Sequence, residues 1–151
     1  MMDNFRYSRP ATIRDAAAQL GREHGKIAVI AGGTDLLGEM KDGLAAPEQL
    51  VSIRHMAELQ GIRASTGVLR IGAATLLVDI VESAVVQERV PLLAMAAGKI
   101  GTPQIRNMGT IGGNLCQRPR CWYYRNNFPC YKHGGNTCFS AAGENDYHAI
   151  L

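Results

Sequence analysis

The chain has 151 residues, with 16 Lys and Arg against 13 Asp and Glu, a formal net charge of +3. Apolar residues make up 46% and charged residues 19%, a globular composition that excludes a disordered, collagenous or coiled-coil chain. No apolar run is long enough to span a bilayer, and the opening MMDNFRYSRP has no apolar signal core.

Taken in chain order, Thr12 and Asp15 have the spacing of a capping box with Asp in place of Glu. Ile13, Ala16, Ala17 and Leu20 then form a helical stripe, with Gly21 placed to end it. Residues 26–31 (KIAVIA) read as a buried strand running into GGTD at 32–35 and then Leu36 and Leu37. Further strands are expected at 49–53 and 68–71. Thr75 is placed to cap a helix over 76–83, and Pro91 to open another reaching about Gly98. From Gly101 onward Gly, Pro, Asn and Arg are scattered among short apolar pieces, and no repeat or low-complexity tract occurs. Mixed strands and helices favour an α/β or α+β fold.

The charges are unevenly spread. Residues 1–88 carry 9 basic and 11 acidic side chains, whereas 89–143 carry 7 basic and none acidic. All four cysteines, Cys116, Cys121, Cys130 and Cys138, lie inside the acid-free stretch.

Two glycine turns are candidates for ligand contact. The AGGTD turn at 31–35 and the GTIGGN turn at 109–114 each carry a Thr, and their small residues let backbone N–H groups approach an anion. A short helix beginning near Asp35 would add a favourable dipole. Neither turn is a GxGxxG fingerprint or a Walker A loop. Together they could hold two parts of an elongated, phosphate-containing ligand, or both could be plain turns.

The cysteine gaps are x4, x8 and x7. Disulfides, zinc and an iron–sulfur cluster compete. The absent signal and Cys-free body argue against disulfides. Zinc lacks a short Cys-Cys hook, although Cys130 and His133 could form a mixed one. The spacing matches neither familiar ferredoxin pattern. Arg118, Arg120, Arg125 and Lys132, with no acid nearby in sequence, would stabilise an anionic cluster, and would equally suit a pyrophosphate. Trp122, Tyr123 and Tyr124 could shield a cluster or form a packed patch. His24, His55 and His148 are isolated and read as surface or capping residues. No hydrolytic constellation stands out, so no catalytic acid, base or nucleophile is assigned. One function these features allow is a zinc- or Fe-S-stabilised module binding anions or nucleic acid through residues 99–132.

Four motifs in order, FRYSRPAT at 5–12, AGGTDLL at 31–37, IGAAT at 71–75 and TIGGN at 110–114, resemble the FAD-binding subunit of the molybdenum hydroxylases, the xanthine dehydrogenase and aldehyde oxidoreductase family. The resemblance implies an α+β, FAD-binding PCMH-type (vanillyl-alcohol-oxidase-like) fold of two α/β subdomains. These would be residues 1–60 and an incomplete 61–151, with a cysteine-rich insertion at 115–140. It implies FAD contacts from Ile30, Ala31, Gly32, Gly33, Thr34, Asp35 and Leu36 on the diphosphate side. Thr110, Gly112, Gly113 and Asn114 would lie on the flavin side, with Ala97 and Gly98 as weaker contacts.

The block QRPRCWYYR at 117–125 is similar to the periplasmic aldehyde oxidoreductase branch, whose flavin subunit carries an additional 4Fe-4S cluster. That implies Cys121, Cys130 and Cys138 as ligands, with Cys116 or a residue beyond the chain as the fourth. The implied role is electron transfer from the 2Fe-2S centres of a small subunit through FAD to an acceptor. A molybdopterin-binding large subunit would oxidise an aldehyde or N-heterocycle, and neither nucleic acid nor a membrane span is implied. Cytoplasm is the default compartment, with periplasm reached on a partner subunit's signal. The family's subunit is longer, and residues 147–151 read as a chain cut within a domain.

Overall fold

The computed structural model describes residues 3–21, 25–143 and 145–146, so His24, His148 and the 147–151 tail lie outside the described residues. The first sheet is wholly parallel, in the order β1 (Arg6–Ser8), β3 (Gln49–Ser52), β2 (Ile27–Ile30). Gln49 pairs with both Arg6 and Ile27, so β3 carries a neighbour on each side. Its alternating side chains divide the core between the two faces. Val51 packs with Ala16 and Met56 below α1 (Ile13–Leu20), while Leu50 packs with Ile30 and Met40 below α2 (Leu36–Lys41). Both β3 residues are essentially fully buried, a burial worth about 1.5–3 kcal/mol each. The predicted α1 cap is present: the Asp15 N–H donates to Thr12 Oγ1 at 3.1 Å, and Gly21 follows the last turn with φ of 55°.

A second unit begins with the antiparallel hairpin of β4 (Ile62–Ser65) and β5 (Val68–Ile71), turned at Gly67 with φ of 72°. Behind it lie α3 (Leu77–Glu82), α4 (Ala84–Arg89) and α5 (Pro91–Gly98). Ile80, Val86, Ala94 and Ala97 form its buried core, with Ile62, Leu69 and Ile71 of the hairpin packed against them. Thr75 does not cap α3 as expected. Its hydroxyl donates to the Gly61 carbonyl at 3.2 Å, tying the hairpin's entry to its exit, and the helix starts two residues later. The single helix expected over 76–83 is followed at once by α4, which Ser83 caps by accepting from the Val86 N–H.

Short helices complete the chain: α6 (Pro103–Arg106), α7 (Ile111–Leu115), α8 (Trp122–Arg125) and α9 (Phe139–Ala142). Among the described residues no helix is long and apolar enough to cross a membrane.

Candidate functional site

The two glycine turns meet. A Cβ on Gly32 would overlap the Met108 carbonyl, and one on Gly109 would lie 3.5 Å from Thr34 Oγ1. Only glycine at position 32 lets the two backbones touch, and the turns form one seam between the parallel sheet and the second unit. A cleft of 630 Å³ opens along this seam. It runs along β2 and past its carboxyl end to the first glycine turn, the usual ligand position for parallel strands, and its volume is in the range of cofactor sites, about 300–1,000 Å³.

The first turn presents free donors. Gly33 takes φ of 74°, and among the described residues the N–H groups of Gly32, Gly33, Thr34 and Asp35 donate to no protein acceptor. Such a row at a cleft wall suits an anionic oxygen. The second turn differs. Thr110 is buried and caps α7 by accepting from the Gly113 N–H at 3.1 Å, while the Gly112 N–H is taken by the Ala73 carbonyl at 2.9 Å. Its donors are therefore spent inside the protein, and the turn contributes shape rather than an anion cradle.

Of the residues expected at the ligand, Ile30, Ala31, Gly32, Gly33, Thr34, Asp35 and Leu36 line the cleft from the first turn. Thr110, Gly113 and Asn114 line it from the second. Gly112 does not; it faces Ala73, where a Cβ would stand 2.7 Å from the carbonyl oxygen. Ala97 and Gly98 do not either. Ala97 belongs to the α5 core, and Gly98 sits against Val81. Arg118 and Arg120, expected beside an anionic cluster or a pyrophosphate, also line the cleft; Gly101 and Ile105 line it too and were missed, because their approach depends on how the chain after α5 folds back.

The arginine block is not free of acids. Arg120 Nη1 lies 2.7 Å from Asp35 Oδ1, and Arg125 Nη2 donates to the same oxygen at 3.0 Å. The Arg118 backbone N–H donates to Asp35 Oδ2 at 2.9 Å. One turn along α2, buried Glu39 accepts from the Tyr124 hydroxyl at 3.1 Å and lies 3.6 Å from Arg125 Nη1. Burial first, then the Glu39 charge, raises the Tyr124 pKa above its usual 10.0. The acids that were absent from the local sequence thus arrive from α2. A basic stripe offered to nucleic acid is correspondingly reduced.

The cysteines are not gathered. Cys121 is buried, Cys130 and Cys138 are partly buried, Cys116 is exposed, and all four are free thiols. Among the described residues no three or more His, Cys, Asp or Glu side chains converge as a metal-holding group, which leaves both the cluster and the Cys130–His133 zinc hook without an assembled site. Hydrogen bonds from Ser140 and the Ala141 backbone lower the Cys138 thiol below its usual value. Aromatic contact holds the segment together instead. Tyr123 meets Phe128 edge-on at 5.2 Å and stacks on Phe139 at 5.6 Å, and Trp122 lies 5.5 Å from Phe128. The His133 ring packs edge-on to Tyr124 at 4.6 Å, and His55 Nε2 hydrogen-bonds the Pro10 carbonyl.

Residues 3–121 match the family described as the FAD binding domain in molybdopterin dehydrogenase. The chain is 44% identical over 111 residues to the carbon monoxide dehydrogenase medium chain of Hydrogenophaga pseudoflava, covering 74% of this chain and 39% of that one. It is 34% identical over 152 residues to the aldehyde oxidoreductase FAD-binding subunit PaoB of Escherichia coli K12, covering 99% of this chain and 48% of PaoB. The solved carbon monoxide dehydrogenase of H. pseudoflava lacking the Mo-pyranopterin moiety superposes with a TM-score of 0.73 at 43% identity, covering 76% of this chain and 40% of that one. The chain thus spans less than half the length of these relatives.

Proposed function

Because this chain belongs to the FAD-binding domain family of molybdopterin dehydrogenases, we propose that it holds the flavin of such an oxidoreductase and passes electrons through it. The observation that carries this is the row of unpaired N–H donors on Gly32, Gly33, Thr34 and Asp35, set along a cleft large enough for a cofactor. These donors and the close-packed glycine seam fit the diphosphate of FAD. When bound, FAD supplies the redox chemistry, accepting electrons and releasing them to an acceptor. The protein's own residues bind and orient. The first turn holds the anionic middle of the cofactor, while Thr110, Gly113 and Asn114 shape the opposite wall. No residue of the cleft is assigned proton transfer.

In the assembled enzyme the flavin would take electrons from 2Fe-2S centres of a small subunit. A molybdopterin-binding large subunit would oxidise the substrate. Aldehyde oxidation is the favoured chemistry for that partner, since the similarity to PaoB runs through the cysteine segment, whereas that to the H. pseudoflava medium chain covers 74% of the chain. The division into subdomains 1–60 and 61–151 belongs to this reading, as does the default cytoplasmic placement with export alongside a partner as its variant.

A 4Fe-4S cluster on Cys121, Cys130, Cys138 and Cys116 is the finest part of the proposal. It rests on the resemblance of the cysteine block. The thiols as arranged do not fit it, and no step is routed through it. Iron and sulfide analysis of Cys121→Ser and Cys116→Ser decides: retained iron in the Cys121 variant removes that ligand.

The flavin itself is tested on the full-length subunit purified anaerobically with its partner subunits. Flavin absorbance at one equivalent per subunit is expected. A colourless or purely brown complex overturns the function and returns the flavin-free module.

A further inference from the structure

The first turn has a charge problem. The free N–H groups that would hold an anion sit beside two carboxylates, Asp35 at the end of the turn and Glu39 one helical turn on. Asp35 itself lines the cleft. Left unpaired, these two negative charges would oppose a diphosphate at close range. The segment following α7 answers both. Arg120 and Arg125 engage Asp35 Oδ1, and Arg125 also reaches Glu39. Arg125 is further fixed by donating to the Pro119 carbonyl at 3.0 Å and the Arg118 carbonyl at 3.3 Å.

Two acids are therefore met by two arginines, and a third cation remains. The Arg118 backbone is pinned, its N–H on Asp35 and its carbonyl on Arg125. Arg118 lines the cleft and is exposed, and its guanidinium, whose charge is felt at Tyr124, has no hydrogen-bond or ion-pair partner among the described residues. A guanidinium held by its own backbone at the edge of a cleft is placed for charge-assisted, bidentate bonding to phosphate oxygens.

We infer that Arg118 is a cofactor-binding residue, clamping the diphosphate against the first glycine turn, and that Arg120 and Arg125 act as positioning residues by cancelling Asp35 and Glu39. The inference rests on the flavin reading above and deepens it. Cofactor affinity in this chain is thus partly set by the segment that carries the cysteines, through charge and without a metal.

The test uses the deflavinated full-length complex, with FAD and ADP as separate probes titrated at low and high salt. Arg118→Gln is expected to weaken both probes about tenfold and to flatten their salt dependence. Arg118→Lys, which keeps the charge, is expected to recover most of the affinity. Arg120→Gln is expected to weaken both probes by unmasking Asp35, and Asp35→Asn on that background to restore part of the loss. Equal affinities for wild type and Arg118→Gln overturn the inference while leaving the flavin function standing. Equal losses in the Gln and Lys variants with unchanged salt dependence overturn it too, since shape would then explain the effect. A wild-type complex that binds no FAD removes the function and this inference with it.

Discussion

At Tyr124 a phenol is enclosed beside a carboxylate and a guanidinium, and the balance keeps the proton on the ring oxygen. Its hydroxyl donates to buried Glu39, whose carboxylate has, among the described residues, Arg125 at 3.6 Å as its other partner. Tyr124→Phe should therefore cost about 1–3 kcal/mol, read as a lower urea midpoint at neutral pH. The pH dependence has a definite sign. The folded pKa is raised, so the hydroxyl's contribution is whole below the usual tyrosine value of 10.0 and is lost as pH climbs through the folded value. The wild type and Tyr124→Phe should converge in stability when unfolding is followed from about pH 8 to about pH 11. A gap that stays constant over this range would show that the proton on Tyr124 does not matter.

Among the elements, the seam between the glycine turns admits the sharpest test. Gly32→Ala sets a methyl against the Met108 carbonyl, backbone against backbone, with no flexible side chain to yield. The overlap should cost about 1–3 kcal/mol and shift the row of N–H donors, so flavin content per subunit should fall along with the melting temperature. Gly38→Ala is the control. It lies on α2, where a Cβ meets nothing within 4 Å, and should be neutral or stabilising by up to about 1 kcal/mol.

Local chemistry made some elements legible in advance. Thr12 with its paired Asp15 N–H announces α1, and Pro91 opens α5 where its missing N–H costs nothing. The strand before the first glycine turn and its approach to a ligand cleft were legible as well, because an apolar β-branched run ending in small residues has few alternatives. Strand β1 was not. Arg6 and Tyr7 are exposed, and only backbone pairing to β3, more than forty residues away, makes that stretch a strand. Thr75 has the chemistry of a cap, but the Gly61 carbonyl competes for its hydroxyl. The resemblance of the cysteine block implied a convergence that the described residues do not make. The partners of Arg120 and Arg125 were hidden because Asp35 and Glu39 lie more than eighty residues upstream.

Over the whole molecule, Arg125 is the rivet between the beginning of the chain and its last third. Its guanidinium is largely buried, joins α2 through Asp35 and Glu39, and lies 5.6 Å from the centroid of the Tyr124 ring. Arg125→Gln should cost about 2 kcal/mol and loosen the cysteine segment while the parallel sheet survives. Limited proteolysis should then cut within residues 117–138 earlier than in the wild type, leaving an intact N-terminal piece. Unchanged cleavage would mean that the aromatic contacts of Tyr123, Phe128 and Phe139 alone hold the segment down.

The position of β3 carries one more consequence, this time for how the chain acquires its shape. The middle strand of the first sheet is the last of its three to be synthesised, and β1 and β2 touch it but not each other in the sheet order. Neither earlier strand can pair natively until residue 49 is available, so the emerging chain must wait with the apolar face of the α1 segment unsheltered. When β3 arrives, both ladders and both faces of the core become available together, a nonlocal step that is slow to begin and cooperative once begun. The glycine turn that follows β2 is therefore set in place by a strand that comes after it.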